Sequence, residues 1–179
     1  MKSLLPLPAA PKAGQRVALP SLAGSADALA LAQLASPHRL LVVITASPLE
    51  AQRLVEEIGW FAPHLRTHLL PDWETLPYDH FSPHQELVSE RLATLFAISQ
   101  NQCDVLIAAA ATAATRLPPP AFLAAHTFLL KRGDKLDLER LRSQMAVAGY
   151  QHVTQVVTPG EYGIRGGLID LFPMGAALP

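Results

Sequence analysis

The chain has 179 residues, of which half are hydrophobic and 16% are charged, and its formal net charge is −1. This composition argues against a disordered chain and predicts one large domain, or one domain with part of another. Because the charge is near neutral and Lys and Arg form no run, unaided binding to nucleic acid is disfavoured.

The first half of the chain alternates predicted strands and helices. Residues 40–45 (LLVVIT) form a continuous apolar run, which is typical of a strand covered on both faces. Pro48 opens a predicted helix, and residues 67–70 and 104–109 are predicted strands. A second helix is predicted between those two strands, with an inward stripe of Val88, Leu92, Leu95 and Phe96. This succession predicts a parallel sheet with right-handed crossovers.

A proline stretch at residues 117–120 (LPPP) marks a change of composition, because it can neither continue a helix nor join a central strand. Residues 126–131 are a predicted strand leading out of the first domain. Asp137 is a predicted N-cap of a helix, and Gly149 stands where a glycine would end it.

Beyond this helix the apolar residues recur with a period of two, which predicts short strands. The turn signals are residues 159–160 (PG) and 166–167 (GG). The alternating positions are Val153, Val156, Tyr162, Ile164, Leu168 and Leu171. We therefore predict an α/β domain with a parallel sheet at residues 1–127, and a small α+β domain, incomplete at its C-terminus, at residues 128–179.

Residues 71–79 (PDWETLPYD) alternate acids with apolar side chains ahead of the second helix. Such a pattern predicts a loop that packs Trp73, Leu76 and Tyr78 inward and leaves its carboxylates in water. Paired carboxylates also suit acid/base chemistry or a cation, but no nearby His and nucleophile complete such a site. No catalytic residue is predicted.

Two segments together carry a resemblance to one protein family: residues 71–95 (PDWETLPYDHFSPHQELVSERLATL) and residues 160–175 (GEYGIRGGLIDLFPMG). Both resemble bacterial transcription-repair coupling factors (Mfd), whose N-terminal region is similar to the repair protein UvrB. The resemblance implies a degenerate RecA/helicase-like domain followed by a domain that binds UvrA. In UvrB the first segment leads into a DNA-clamping hairpin, whereas here residues 82–85 (SPHQ) lead directly into a helix.

A degenerate phosphate loop is the candidate cofactor site. A functional loop needs glycines for backbone approach, a lysine for the phosphates and a hydroxyl for magnesium. At the corresponding positions this chain has Ser21, Gly24, Ala26, Asp27 and Ala28, with Asp27 replacing the lysine and Ala28 the hydroxyl residue. We expect no cofactor in this chain, and the resemblance assigns ATP and Mg to the full-length protein. The alternative reading is an ordinary helix start, with Ser25 as the N-cap and Asp27 in the first turn.

Two further sets of side chains are candidates for metal or thiol chemistry. His64 and His68, and likewise His80 and His84, are four residues apart, but prolines interrupt both predicted helices and no cysteine accompanies them. No metal site is therefore predicted. Cys103 is the only cysteine, which excludes an internal disulfide and predicts an inert, semi-buried thiol.

The segment around Arg165 is the candidate partner site. On residue chemistry alone Arg165 could simply cap a hairpin. The resemblance instead implies that Arg165, with Tyr162, Ile164 and Gly166, belongs to a UvrA-binding surface. Arginine suits this role because its planar fork pairs with carboxylates. Family members are also expected to mask this surface with their own C-terminal region.

These observations favour a chain that docks proteins and takes part in autoinhibition, and that is not itself an enzyme. The resemblance implies a full-length ATP-dependent DNA translocase that displaces stalled RNA polymerase and recruits excision repair, with RNA polymerase and DNA bound by other domains. The alternative is a UvrB-type nucleotide- or DNA-binding helicase domain, which Asp27 and the short 82–85 connection oppose. No apolar run approaches the roughly 20 residues that span a bilayer, so we expect a cytoplasmic protein.

Overall fold

The structure is a computed structural model that describes residues 5, 7–8, 11–36, 39–76, 78–125, 132–176 and 178–179. By Cα proximity the chain divides into two units. Unit 1 comprises Met1–Leu70 and Asn101–Ala114, and unit 2 comprises Pro71–Gln100 and Thr115–Pro179. The predicted domain boundary at residues 127–128 and the predicted strand at residues 126–131 lie outside the described residues, so both remain predictions.

Unit 1 is built on a parallel three-stranded sheet. Its strands are β1 (Leu41–Thr45), β2 (Thr67–Leu69) and β3 (Val105–Ala109), arranged in the order β1-β3-β2. Both β1 and β2 pair in parallel with the central β3. The predicted parallel sheet and the α/β fold class are therefore confirmed.

Helices α1 (Ala26–Leu34), α2 (Pro48–Phe61) and the short α4 (Ala110–Ala113) complete unit 1. The start of α2 is well defined locally, because Pro48 occupies the first turn and the Ser47 hydroxyl accepts a hydrogen bond from the Glu50 amide at 3.2 Å. The two longer helices pack with β3 into one core of buried apolar side chains: Ala28, Ala51, Leu54, Ile58, Val105 and Ile107.

One face of β1 differs from the prediction. Val42 and Ile44 are both about half exposed, at 51% and 53%. The strand was expected to be covered on both faces, and for the described residues this is wrong. Along a strand successive side chains alternate between faces, so the helices that cover Leu41 and Val43 leave Val42 and Ile44 open.

Unit 2 contains α3 (Gln85–Ser99), α5 (Pro120–Ala125), α6 (Leu138–Val147) and the strands β4 (Gln151–His152), β5 (Glu161–Arg165) and β6 (Leu168–Leu171). The predicted cap of α6 is confirmed, since the Asp137 carboxylate accepts bonds from two backbone amides at 3.1 Å. Gly149 follows the helix with φ +83, a left-handed conformation that glycine adopts without strain.

The small sheet of unit 2 has the order β4-β5-β6, with β4 and β5 parallel and β5 and β6 antiparallel. The period-two prediction is confirmed for β5 and β6. It is wrong for Val153 and Val156, which follow β4 in an irregular segment. The Val153 amide still donates to the Tyr162 carbonyl at 2.9 Å, but no further bond of this kind extends β4.

The buried side of α3 is also not the predicted one. Its buried residues are Ser89, Arg91, Thr94 and Ala97, whereas Val88, Leu92, Leu95 and Phe96 are only partly buried. Two of these polar residues, Ser89 and Arg91, form hydrogen bonds to backbone groups elsewhere in unit 2. For example, the Ser89 hydroxyl accepts a hydrogen bond from the Gly175 amide at 2.6 Å.

Candidate functional site

The hairpin of β5 and β6 presents two different faces. Tyr162 and Ile164 on β5, and Ile169 and Leu171 on β6, pack with the α6 core residues Leu141 and Met145. Because side chains alternate along a strand, Arg165, Leu168 and Asp170 occupy the opposite, outer face. Leu168 and Arg165 form a directly opposed pair, and Asp170 stands opposite Gly163.

Arg165 pairs diagonally across the hairpin with Asp170. The Arg165 Nη2 group donates a hydrogen bond to Asp170 Oδ2. The side chains are 69% and 45% exposed, respectively. Gly166 makes the following two-residue turn with φ +59, which favours glycine. The turn thus holds a solvent-accessible guanidinium at the tip of a short, well-paired hairpin.

An open cleft of about 550 Å³ lies beside this ion pair. Its walls combine charged, amide and apolar groups. The lining residues are Gln155, Val156, Arg165, Ile169, Asp170, Leu171 and Pro179.

The four predicted partner-site residues have distinct positions. Arg165 is on the outer face and exposed, and Gly166 is in the turn. Tyr162 is buried in the unit 2 core, with its ring centre 5.1 Å from that of His152, and Ile164 is partly buried against the same core. Among these residues, Arg165 is the side chain best placed to reach a partner, while Tyr162 and Ile164 support the strand that carries it.

In the predicted degenerate phosphate loop, Asp27 forms an ion pair with Arg53. Both Asp27 carboxylate oxygens accept from the Arg53 guanidinium, at 3.2 and 2.6 Å. This bond is the main reason that the pKa of Asp27 lies below its usual value. Arg53 also pairs with Glu57 on the next turn of α2 at 2.7 Å. A carboxylate therefore stands where a lysine would be needed, and it already has a cation as partner.

The other positions of this loop lie in α1 or in the irregular segment before it. Ala26 opens α1, Ala28 is fully buried in the core, and Gly24 has φ +56 in the preceding turn. Ser21 lies in an exposed irregular segment. Ser25 occupies the N-cap position and Asp27 the first turn of α1, as predicted, but the Ser25 side chain makes no capping hydrogen bond. The Asp27 carboxylate instead accepts from the Ala28 amide at 2.7 Å.

The acid-aromatic segment is anchored by a buried arginine. Arg91, only 2% exposed, donates to the Pro71 carbonyl and stacks its guanidinium 4.1 Å from the centre of the Trp73 ring. Burial lowers the pKa of Arg91. The inward packing predicted for Leu76 and Tyr78 is wrong: they are 71% and 93% exposed. Only the part of the segment that touches Arg91 is held inward.

The remaining candidates have structural roles. Desolvation by burial raises the pKa of Cys103 to about 11, so its thiol is not activated as a nucleophile. The neighbouring Asp104 is buried and bonded to Arg66, which lowers the pKa of Asp104 to about 2. The side chain of His84 caps α3 by accepting from the Glu86 amide at 3.4 Å. Among the described residues, no group of three His, Cys, Asp or Glu side chains could hold a metal.

Comparison with known proteins identifies the family of the region that contains the hairpin. The family model described as the UvrB interaction domain matches residues 128–178, which include the hairpin. The transcription-repair-coupling factor of Escherichia coli (strain K12) is 45% identical over 169 residues, or 94% of this chain and 15% of that protein. The corresponding protein of Haemophilus influenzae is 43% identical over 155 residues, or 86% of this chain and 13% of that protein.

Over the matched region, the chain belongs to the transcription-repair-coupling factor family. The family prediction is thereby confirmed, and it extends to the Bacillus subtilis (strain 168) factor, which is 25% identical over 90% of this chain and 14% of its own length. The chain thus spans about one seventh of the length of the curated relatives that it matches. The family match is to a UvrB interaction domain, which is not a catalytic domain.

Three residues important to these sites were not singled out from the sequence. They are Arg53, Arg91 and Asp170, and each acts through a partner distant in the chain or across a hairpin turn. Only Asp170 carried a usable signal, because its two-residue-turn hairpin fixes the register and places it near Arg165. None of the described helices is long and apolar enough to cross a bilayer.

Proposed function

We propose that this part of a transcription-repair-coupling factor docks UvrA through the outer face of the β5–β6 hairpin. The observation that carries the proposal is the exposure of Arg165 at the hairpin tip, within the segment that matches the UvrB interaction domain. The partner is expected to offer a carboxylate to Arg165 and an apolar contact to Leu168.

The chemistry of the outer face suits a protein partner. An arginine presents a planar fork of donors to a carboxylate and covers apolar surface with its stem. Leu168, 70% exposed, supplies apolar area directly opposite Arg165. Arginine next to apolar surface is the residue combination in which binding energy concentrates at protein interfaces.

The alternative, a UvrB-type nucleotide- or DNA-binding helicase domain, is not favoured. The Asp27–Arg53 ion pair supports the absence of a nucleotide site, because a triphosphate would meet a carboxylate at the position where a lysine normally reaches it. The connection before α3 is short, with the helix starting at Gln85, which leaves no room there for a long DNA-clamping hairpin.

The activity of the whole protein belongs to this proposal as well. The full-length factor is proposed to be an ATP-dependent DNA translocase that displaces stalled RNA polymerase, with ATP, Mg, DNA and RNA polymerase bound by other domains. Its C-terminal region is proposed to mask the hairpin until the protein is activated. Its location is proposed to be the cytoplasm.

Parallel binding experiments with purified UvrA and RNA polymerase test the proposal. The chain, immobilised through a tag, is expected to retain UvrA and not RNA polymerase. Retention of RNA polymerase without UvrA would reverse the assignment of partners. Because a docking surface can be lost through unfolding, each preparation is checked by thermal unfolding and circular dichroism beforehand.

A further inference from the structure

The outer face of the hairpin contains its own acidic group directly beside the proposed anchor. Asp170 is opposed across the sheet by Gly163, which has no side chain to offer. A Cβ atom at Gly163 would lie only 3.2 Å from the Val153 carbonyl oxygen and 3.6 Å from Val156 Cγ2. Residues 153–156 therefore lie against Gly163, the residue opposite Asp170. The Asp170 side chain accepts a hydrogen bond from Arg165, two residues further along β5.

The ion pair of Arg165 with Asp170 can be replaced at little cost in stability by a pair of Arg165 with a partner's carboxylate. Both side chains are substantially exposed, and such surface ion pairs contribute little to stability. The hydrogen bond of the pair uses Nη2 of Arg165, and no hydrogen bond from Nε or Nη1 to another described residue is present. A carboxylate from a partner could therefore reach the guanidinium, but it would do so within a few ångströms of the Asp170 carboxylate.

We propose that Asp170 is an internal competitor for Arg165, so that it limits the affinity of the hairpin for an acidic side chain of the docked protein. This inference rests on the proposed UvrA-docking function. In the free chain Asp170 holds the guanidinium, and on docking the partner's carboxylate must displace Asp170 or tolerate its negative charge. Asp170 is thus a specificity-determining residue that disfavours weakly complementary acidic surfaces.

The charge-neutral variant Asp170→Asn tests the competition directly. It keeps the size of the side chain but removes the charge that competes with and repels the partner. We expect Asp170→Asn to bind UvrA about threefold to tenfold more tightly than the parent at low salt, with a smaller gain at high salt because the repulsion is screened. Isothermal titration or surface plasmon resonance against purified UvrA measures the change.

Glu139→Gln is the matched control. Glu139 forms an exposed ion pair with Arg142 on α6 at 3.3 Å, so its replacement removes the same charge from a surface pair outside the hairpin. We expect its UvrA affinity to equal that of the parent. An equal gain for Glu139→Gln and Asp170→Asn would overturn the inference, because it would mean that only net charge matters.

Arg165→Ala separates this inference from the function on which it rests. If Arg165→Ala loses affinity and Asp170→Asn gains it, both are supported. If Arg165→Ala loses affinity while Asp170→Asn binds equally well or more weakly, the competitor role is overturned and the docking function stands. If a folded Arg165→Ala binds as tightly as the parent, the docking function fails and the competitor role fails with it.

Discussion

Asp27 of α1 and Arg53 of α2 form an ion pair with two hydrogen bonds, of 3.2 and 2.6 Å, from the guanidinium to the two carboxylate oxygens. In this geometry the arginine fork meets both oxygens of the carboxylate. The position that would serve a phosphate in an active nucleotide loop is thereby turned into a structural contact between α1 and α2. This relationship explains why we expect unit 1 to have lost nucleotide binding while keeping its parallel sheet.

A single substitution at Asp27 is not expected to create nucleotide binding. Asp27→Lys removes the ion pair and sets two cations side by side, so we expect a loss of stability of about 1 kcal/mol, a small value because both groups are partly exposed. We still expect no ATP binding, because Ser21 and Ala26 occupy the positions where a phosphate loop needs glycines for backbone approach. Titration calorimetry with ATP and Mg, and urea unfolding, measure the two effects. Asp27→Asn is the control that lacks the added cation. Micromolar ATP binding by the parent or by Asp27→Lys would contradict this interpretation.

The ion pair of Asp104 with Arg66 is predicted to make the free energy of unfolding depend on pH in the acid range. The pKa of Asp104 is lowered to about 2 in the folded protein, below its usual value near 3.9. Its contribution is therefore complete above about pH 4 and is lost as the pH falls through the folded pKa. We expect it to be about 2 kcal/mol, allowing for the exposure of Arg66.

The comparison of parent and Asp104→Asn as a function of pH measures this contribution. Urea unfolding should show a stability difference that is constant from pH 7 to about pH 5 and that narrows towards pH 2. Glu139→Gln, which alters an exposed pair, should give a small and nearly constant difference. A parent-to-Asp104→Asn difference that grows on acidification would contradict the assigned direction of the pKa shift.

Arg91 is predicted to be essential for the packing of unit 2. Arg91→Ala leaves the Pro71 carbonyl without this donor and removes the guanidinium from the Trp73 ring, so we expect a loss of about 2–4 kcal/mol. Chemical unfolding followed by tryptophan fluorescence measures it. Arg142→Ala, which breaks only the exposed pair with Glu139, should cost less than about 1 kcal/mol. Equal losses in the two variants would contradict a special role for Arg91.

The limits of sequence interpretation are clear at α3. The sequence correctly predicted strands with continuous apolar runs, the Asp137 cap and the β5–β6 turn, because these depend on neighbouring residues. It failed for the buried face of α3, since burial of Arg91 depends on Pro71 and Trp73, about twenty residues earlier. The ion pair of Asp27 with Arg53 could not be predicted for the same reason, because the two residues are 26 positions apart.

DNA binding by this chain is predicted to be weak. The net charge is −1, and α3 starts at Gln85, directly after the short connection. We expect non-specific binding with a steep salt dependence at about 150 mM salt. Fluorescence anisotropy with a labelled duplex measures it. A sub-micromolar Kd with a shallow salt slope would instead reveal a surface that reads bases or duplex shape.

The affinity of Arg165→Ala for UvrA tests the central claim most directly. Titration of UvrA into the parent, Arg165→Ala and the control Arg142→Ala should show one affected variant, after thermal unfolding has established that all three are folded. We predict that Arg165→Ala loses about 1–3 kcal/mol of binding free energy, or about 5- to 150-fold in Kd, while Arg142→Ala matches the parent. A folded Arg165→Ala that binds UvrA with the Kd of the parent would contradict the account.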